Sequence, residues 1–255
     1  MIDSHSHLDR CEGEPGEVVE RARLAGVTRI LTVGLDGPGN LRQVEMAGRF
    51  PEVFAAVGRH PNEAEGFTEA DSDAIEALAG DERVVAIGET GLDFYRDSAS
   101  PEAQRRAFEA QIGIASAVGL PLVVHLRDPQ GSDDAVAEAF ATLEREAAGL
   151  DVVLHCFPAP EKVDRAVGNG WYCSFAGNVT YPANEALREA ASRVPDELLL
   201  VETDAPYLTP QSRRRDRNEP AFVVETAECV AGVRDLPLEE LDRIVTENAA
   251  RLFGW

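Results

Sequence analysis

The sequence is poor in lysine and cysteine and has no long apolar run. Lys162 is the only lysine among 24 cationic residues. None of the four cysteines belongs to a C-x-x-C pair, which argues against a zinc ribbon or a disulfide framework. No stretch approaches the roughly 20 apolar residues of a membrane span. The segment from Met1 to His5 lacks the basic and apolar regions of a signal peptide, so we expect a cytoplasmic protein with no membrane partner.

Acidic residues outnumber basic residues, and this restricts what the protein can bind. The 46 Asp and Glu residues against 24 Lys and Arg residues give a formal net charge of −22. Such a surface repels phosphate over long range and argues against non-specific coating of duplex DNA. It still allows a nucleic-acid enzyme with a locally positive cleft. The hydrophobic fraction of 44% is sufficient for a full core.

Short β-branched runs alternate with longer amphipathic segments along the whole chain. The eight candidate strands are Ile2–His5, Thr28–Val33, Val53–Val57, Val84–Gly88, Leu122–His125, Val152–His155, Trp171–Phe175 and Leu198–Glu202. This rhythm predicts an α/β fold, a (β/α)8 TIM barrel that forms a single domain over residues 1–255. An open doubly wound sheet is the alternative, although no G-x-G-x-x-G follows the first strand.

Helix signals fill the intervals between the strands. Ser100 followed by Pro101 is a typical helix start, and the last helix is predicted from about Pro237 to Phe253. The longest stretch without periodicity is Ala205–Pro220. We expect it to form a loop over the barrel mouth.

All five histidines lie at the C-terminal ends of predicted strand segments. His5 and His7 are two residues apart, which places both imidazoles on the same face of an extended segment. His60, His125 and His155 end three further segments. A single histidine of this kind is more often a packed core or surface residue. A shared pocket at one end of the barrel explains the placement of all five.

Two carboxylates occupy the same kind of position. Glu89 follows Val84–Gly88, and Asp204 follows the last predicted strand, although an acid there can instead cap the next helix. Imidazoles and carboxylates together suit Zn²⁺, Mn²⁺ or Co²⁺, and also Mg²⁺ where phosphate and water add oxygens. Three or four imidazoles with two carboxylates make up to six ligands, which is more than one tetrahedral ion requires. We therefore expect two divalent ions about 3.5–4 Å apart, bridged by a carboxylate.

Other polar residues lie where they can support such a site. Glu202 precedes Asp204 and can orient a ligating histidine, and Arg127 follows His125. The loop after the last strand contains the arginines Arg213, Arg214, Arg215 and Arg217. These side chains can clamp a phosphate through bidentate contacts or can form an ordinary solvated loop, and both interpretations stay open.

Longer motifs extend these single positions across the chain. They are Ile2–Asp9, Gly88–Tyr95, Gln104–Gln111, His155–Phe157, Ser174–Thr180, Glu202–Leu208, Arg217–Pro220 and Asn248–Gly254. In combination they resemble the TatD-type metal-dependent deoxyribonucleases, which are amidohydrolase-like TIM barrels. The resemblance covers essentially the whole chain.

The resemblance implies a role for each matching residue. The divalent-metal ligands would be His5, His7, Glu89, His125, His155 and Asp204. Glu89 would bridge the ions, and Asp204 would also orient the attacking water as a base, which makes these two residues catalytic. His60 and the arginine loop would face the substrate. We expect Arg127 to contact the substrate as well, and Glu202 and Asp93 to lie behind the ligands.

The same resemblance implies a cofactor and a substrate. The cofactor would be two divalent ions, Mg²⁺, Mn²⁺ or Zn²⁺. The activity would be 3′→5′ exonuclease action on DNA, with single strands or 3′ ends as the substrate and no obligate protein partner.

Some positions depart from the family pattern, and they concern substrate contact only. Asn62 stands where a second histidine is common, Leu126 where a small residue is common, and Pro158-Ala159 where a glycine is usual. The alternative function is therefore an amidohydrolase-type enzyme that cleaves an ester or amide bond in a small molecule or an aminoacyl-tRNA. A carbamylated lysine bridge, common in that superfamily, is impossible because Lys162 is not at a metal position. This favours a Glu89 bridge and the phosphodiesterase.

Overall fold

Eight parallel strands pair in chain order around a barrel. A computed structural model of the chain describes residues 1–255. The strands are β1 (Ile2–Ser6), β2 (Arg29–Val33), β3 (Val53–Val57), β4 (Val84–Asp93), β5 (Leu122–Arg127), β6 (Val152–Leu154), β7 (Tyr172–Phe175) and β8 (Leu199–Val201). Neighbours in the sequence are neighbours in the sheet, from β1 to β8. The predicted (β/α)8 TIM barrel is confirmed, and the open doubly wound alternative is wrong.

Nine α-helices flank the strands. They are α1 (Pro15–Leu24), α2 (Gly37–Arg49), α3 (Glu69–Leu78), α4 (Pro101–Val118), α5 (Asp134–Glu146), α6 (Val163–Gly168), α7 (Glu185–Arg193), α8 (Val223–Val233) and α9 (Leu238–Phe253). The strands are almost entirely buried, and the helices contribute apolar stripes to the same core, as Leu241 and Val245 do from α9. None of the helices combines the length and apolarity that crossing a bilayer requires.

The start of α4 shows how the local sequence sets a helix boundary. The hydroxyl of Ser100 accepts a hydrogen bond from the backbone amide of Ala103 at 3.3 Å. Pro101 occupies the first turn, where its missing N–H costs nothing. Phe108 and Ile112 then face the core with 1% and 2% exposure. The predicted helix start is therefore the observed one.

Backbone hydrogen bonds close the barrel between β1 and the chain that follows β8. The amide of Asp204 donates to the carbonyl of His5 at 2.9 Å, and the amide of His7 donates to the carbonyl of Ala205 at 2.7 Å. The loop from Ala205 onward contains only short 3₁₀ turns before α8, and of this loop Tyr207 and Leu208 reach the barrel mouth. Closure of the sheet thus holds His5, His7 and Asp204 together.

Strand β4 is longer than the sequence indicates. We expected a strand that ends at Gly88 with Glu89 after it, but β4 continues to Asp93 and its pairing with β5 shifts register between Ile87 and Thr90. Gly88 and Gly91 have φ angles of +149° and +136°, which favour glycine. A Cβ on Gly91 would overlap the carbonyl oxygen of His125. Glycine therefore lets β4 run closely against β5 and brings Glu89 beside His125.

Gly91→Ala should destabilise the fold, because its Cβ has no space and its φ is unfavourable for alanine. We expect a loss of about 2–3 kcal/mol in the free energy of unfolding, measured by urea denaturation. The matched control is Gly113→Ala in α4, where a Cβ meets nothing within 4 Å. That change should be neutral or should stabilise by about 0.5–1 kcal/mol. Equal changes in the free energy of unfolding for Gly91→Ala and Gly113→Ala would contradict the close approach of β4 to β5.

Candidate metal centre

The structure brings the six predicted ligands together at the C-terminal end of the barrel. β1 supplies His5, and His7 follows it directly; β4 supplies Glu89 and β5 supplies His125. His155 comes directly after β6, and Asp204 lies three residues after the end of β8. The side chains of His5, His7, Glu89 and His155 are at most 4% exposed, so these groups face one another and not solvent.

One oxygen of Glu89 faces two imidazoles from β1. Its Oε2 atom lies 3.4 Å from His5 Nε2 and 3.7 Å from His7 Nε2. The two imidazole nitrogens are 3.4 Å apart. Asp204 Oδ1 completes the group, at 3.9 Å from His5 Nε2 and 3.6 Å from His7 Nε2. The ligand atoms of His5, His7 and Glu89 therefore all lie within 4.8 Å of one another, and Asp204 adjoins the two imidazoles.

The other oxygen of Glu89 faces a second group of imidazoles. Its Oε1 atom lies 2.7 Å from His125 Nδ1 and 3.1 Å from His155 Nε2. His60 Nε2 lies further away, at 3.7 Å. The Glu89 carboxylate is thus the one group shared by both sets.

The donor atoms fit a bound cation. Ligands held at about 2.1 Å from one ion lie roughly 3.0–3.5 Å apart, and most of the spacings around Glu89 are close to this range. Glu89 Oε2 is also buried without any hydrogen-bond partner. A buried carboxylate oxygen without a donor is costly unless a cation occupies the space that it faces. The residues present therefore fit a divalent metal centre.

The carboxylates of the centre are ionised at neutral pH. Burial opposes ionisation of Glu89, but the imidazoles of His155, His60 and His5 hold the pKa of its carboxyl well below the ordinary value. Burial also opposes ionisation of Asp204, and the hydrogen bond to His7 with the charges of nearby histidines lowers the pKa of that carboxyl. Both residues can therefore act as anionic ligands.

Acceptors behind the histidines fix how three of the rings point. His7 Nδ1 donates to a backbone carbonyl of β2 at 2.9 Å, and His155 Nδ1 donates to Glu202 Oε1 at 2.9 Å. His125 lies 3.3 Å through Nε2 from Asp93 Oδ2. In each ring the second nitrogen faces Glu89, where its lone pair would be available to a bound cation. Glu202 therefore lies behind His155, and Asp93 lies behind His125.

A cleft of about 950 Å³ opens over this centre. His60 and Arg127 line it, where the sequence placed them. His60 is largely buried, and burial lowers its pKa to about 3, so the ring is neutral. Arg127 is exposed, with its guanidinium 4.0 Å from the ring centroid of Tyr95.

The predicted arginine loop does not line the cleft. Arg213 forms an ion pair with Glu225 at 2.7 Å, and its guanidinium lies over the ring of Phe222. Arg214 donates to the hydroxyl of Tyr181. Arg213 and Arg214 thus have partners outside the cleft, and Arg215 and Arg217 are exposed and do not line it either, so the geometry favours the solvated charged loop over the phosphate clamp.

Three further residues line the cleft that were not predicted from the sequence. Arg10 and Arg96 line the cleft and are exposed, and Tyr207 lines it with 46% exposure. Arg10 follows His7 in a 3₁₀ turn, and Arg96 lies just after the end of β4. Attention to every cationic residue close behind a strand end would have found both arginines.

The barrel and its cluster of histidines and carboxylates define a metal-dependent hydrolase. The comparisons then identify its family. The TatD related DNase family model matches residues 2–254, so the chain belongs to this family.

Several known proteins are similar over nearly their whole length. The uncharacterized metal-dependent hydrolase YabD of Bacillus subtilis is 38% identical over 99% of this chain and 98% of its own length. The 3′-5′ ssDNA/RNA exonuclease TatD of Dickeya dadantii is 37% identical over 93% of this chain and 90% of its own. The crystal structure of the TatD homologue YJJV of Escherichia coli has a TM-score of 0.90 at 25% identity, covering 100% of this chain and 98% of that one.

Glu202→Gln should weaken metal binding while the fold is kept. Its Oε1 accepts from His155 Nδ1 and from the amide of Cys156, so the charge behind His155 is lost. We expect the affinity for Zn²⁺, measured by calorimetry, to fall by about 10-fold or more. Exposed Glu228 provides the matched control, Glu228→Gln, which should leave the affinity unchanged. Unaltered Zn²⁺ affinity in Glu202→Gln would contradict a supporting role for this carboxylate.

Proposed function

We propose that the chain is a two-ion 3′→5′ exonuclease that acts on single-stranded nucleic acid, with residues 1–255 working as one domain. The observation that carries the proposal is the position of Glu89, whose two oxygens face separate sets of imidazoles. A carboxylate shared in this way is typical of two-metal hydrolases. The cytoplasmic location and the lack of an obligate protein partner stay predictions of the sequence.

The ligands divide between two positions. His5, His7, Asp204 Oδ1 and Glu89 Oε2 would hold one ion, and His125, His155 and Glu89 Oε1 would hold the other. Two divalent ions would supply Lewis acidity, lowering the pKa of water and stabilising both the attacking and the leaving oxygen of a phosphodiester. The ion is Mg²⁺, Mn²⁺ or Zn²⁺ in this proposal.

Asp204 is proposed as the base. Its side chain lines the cleft with 13% exposure and its carboxyl is ionised at neutral pH, so it can accept a proton from the attacking water. The backbone there has φ +53°, which a non-glycine residue rarely adopts. Closure of the barrel through the Asp204 amide holds this conformation and fixes the direction of the carboxylate.

The cleft contains cationic side chains that can bind the phosphates of a nucleic-acid strand, although the protein surface as a whole is acidic. Arg10, Arg96 and Arg127 line it or its rim, and none of them is held in an ion pair by a carboxylate. Tyr207 offers an exposed ring beside Arg10, at 3.5 Å between hydroxyl and guanidinium. Free guanidinium groups with an aromatic ring are what single-stranded nucleic acid requires. The relative from Dickeya dadantii is named a 3′-5′ ssDNA/RNA exonuclease, and this name supports single-stranded nucleic acid as the substrate class.

The amidohydrolase alternative is less favoured because this chain offers no lysine for a bridge. Lys162 forms an ion pair with Asp133 at 2.7 Å, and neither residue lines the cleft.

The direct test is release of nucleotides from 3′-labelled single-stranded DNA by metal-stripped protein, with Mg²⁺, Mn²⁺ or Zn²⁺ added back. We expect stepwise release of mononucleotides that depends on the added ion. No release with any ion, from protein shown to rebind metal, would contradict the proposed substrate and would point to the ester or amide alternatives.

Asp204→Asn should abolish most of the turnover, because an amide cannot accept the proton. We expect kcat to fall by about 10²–10⁴-fold at an Mn²⁺ concentration that saturates the centre. Asp216→Asn, on the exposed arginine loop, is the control and should leave kcat unchanged. Turnover near the wild-type value in Asp204→Asn, with both ions bound, would show that another group is the base.

Replacing Arg10 and Arg127 by Ser should raise KM for DNA and weaken its dependence on salt. Each lost contact with a single strand should reduce the slope of log affinity against log salt concentration by about 0.7. The matched control replaces Arg213 and Arg214, which have partners elsewhere, and should change neither quantity. If the Arg213 and Arg214 variant changed KM and salt dependence while the Arg10 and Arg127 variant did not, the arginine loop would be the phosphate-binding element.

A further inference from the structure

His60 differs from the other imidazoles of the centre in how its ring is hydrogen-bonded. The backbone amide of Asn62 donates to His60 Nδ1 at 3.0 Å. A backbone amide can only donate, so Nδ1 must present its lone pair and carries no proton. A histidine ring with an unprotonated Nδ1 holds its proton on Nε2.

This arrangement is the reverse of that in the metal ligands. In His7 and His155, the nitrogen far from Glu89 donates to an acceptor, so the nitrogen that faces the carboxylate is the one that can offer a lone pair to a bound cation. In His60 the nitrogen nearest Glu89 carries the proton instead. Proximity alone groups His60 with Glu89 and His125 as possible ligands. A protonated Nε2 cannot coordinate a cation, so hydrogen-bond polarity removes His60 from the ligand set.

The Nε2 proton of His60 has no acceptor within the protein. Glu89 Oε1 lies 3.7 Å away, beyond hydrogen-bond distance. His60 lines the cleft with its side chain 12% exposed, so the N–H is open to a bound molecule. The proposed centre beside it would hold two cations, and their charge favours an anionic oxygen as the acceptor.

The donor is also held in place before any substrate arrives. The amide of His60 donates to the carbonyl of Leu35 at 3.0 Å, which fixes the backbone. The ring packs against that of His125 with 4.5 Å between centroids. Asn62 is itself fixed by its side-chain amide, which donates to Asp93 at 2.9 Å. A donor held in this way loses little freedom when it binds.

We propose that His60 is a neutral, obligate Nε2–H donor that binds a non-bridging phosphoryl oxygen of the substrate. The substrate class rests on the proposed function, whereas the protonation pattern rests on the hydrogen bonds alone. His60 donates a hydrogen bond and keeps its proton, because losing it would leave an imidazolate. It is therefore neither a metal ligand nor the acid that protonates the leaving group.

The first test is a long-range ¹H–¹⁵N correlation spectrum of protein labelled with ¹⁵N-histidine and loaded with Zn²⁺. The chain has only five histidines, and the His60 signals are assigned by their loss in His60→Gln. We expect a protonated Nε2 and an unprotonated Nδ1 for His60. Asn62→Ala keeps the backbone N–H and should keep this tautomer. A protonated Nδ1, or a Zn²⁺-coordinated Nε2, would overturn the proposal.

The second test separates phosphate binding from metal binding, with inorganic phosphate as the probe. His60→Leu should keep the wild-type number of Zn²⁺ ions but bind inorganic phosphate about 10-fold more weakly, because a hydrogen bond to a charged group is lost. The kcat for DNA should fall by about 100-fold, with a smaller loss in His60→Gln, whose amide still donates. Loss of one Zn²⁺ per chain, or unchanged phosphate affinity, would overturn the proposal. Neither the number of bound Zn²⁺ ions nor the phosphate affinity depends on nuclease activity.

Discussion

The carboxylate of Glu89 is the group on which the site depends. It lies almost fully buried between two sets of imidazoles, and each of its oxygens faces one set. A buried anion in that position is costly unless positive charge surrounds it. The histidines supply part of that charge, and one oxygen has no hydrogen-bond partner at all. The site is therefore built to hold cations, and its ligands come from separate strands that only a closed barrel brings together.

The backbone of β4 makes this position of Glu89 possible. Gly88 and Gly91 allow the strand to run against β5 more closely than a Cβ would permit. At the other side of the barrel, the hydrogen bonds that join β1 to the chain after β8 hold His5, His7 and Asp204 in register. The same contacts that complete the sheet thus place the ligands, so folding and assembly of the site are one event.

The barrel and most of the metal centre could be predicted from the sequence, because active-site residues of a TIM barrel lie at the C-terminal ends of its strands. The βα rhythm predicts the barrel, and polar residues after buried strands predict His155 and Asp204. The continuation of β4 through Glu89 could not be predicted, because it depends on how closely two strands approach. The position of Arg213 was also beyond reach, since its partner Glu225 is supplied by α8. The partner of an arginine in a loop depends on which carboxylates the tertiary fold places near it.

The protonation of His60 could not be predicted for a related reason. Its tautomer is set by a backbone amide two residues further along the chain, in a turn whose geometry the sequence does not fix. The net negative charge of the surface likewise does not predict whether the cleft can bind phosphate. Most arginines on the outside are paired, whereas those of the cleft are free to meet phosphate. Local pairing, and not net charge, decides what the cleft attracts.

The proposed sharing of Glu89 between two ions can be tested by anomalous diffraction from crystals grown with Zn²⁺. Two peaks about 3.5–4 Å apart are expected, one beside each oxygen of Glu89. The first should contact His5, His7 and Asp204, and the second His125 and His155. A single peak, or two ions of which only one contacts Glu89, would contradict the shared carboxylate.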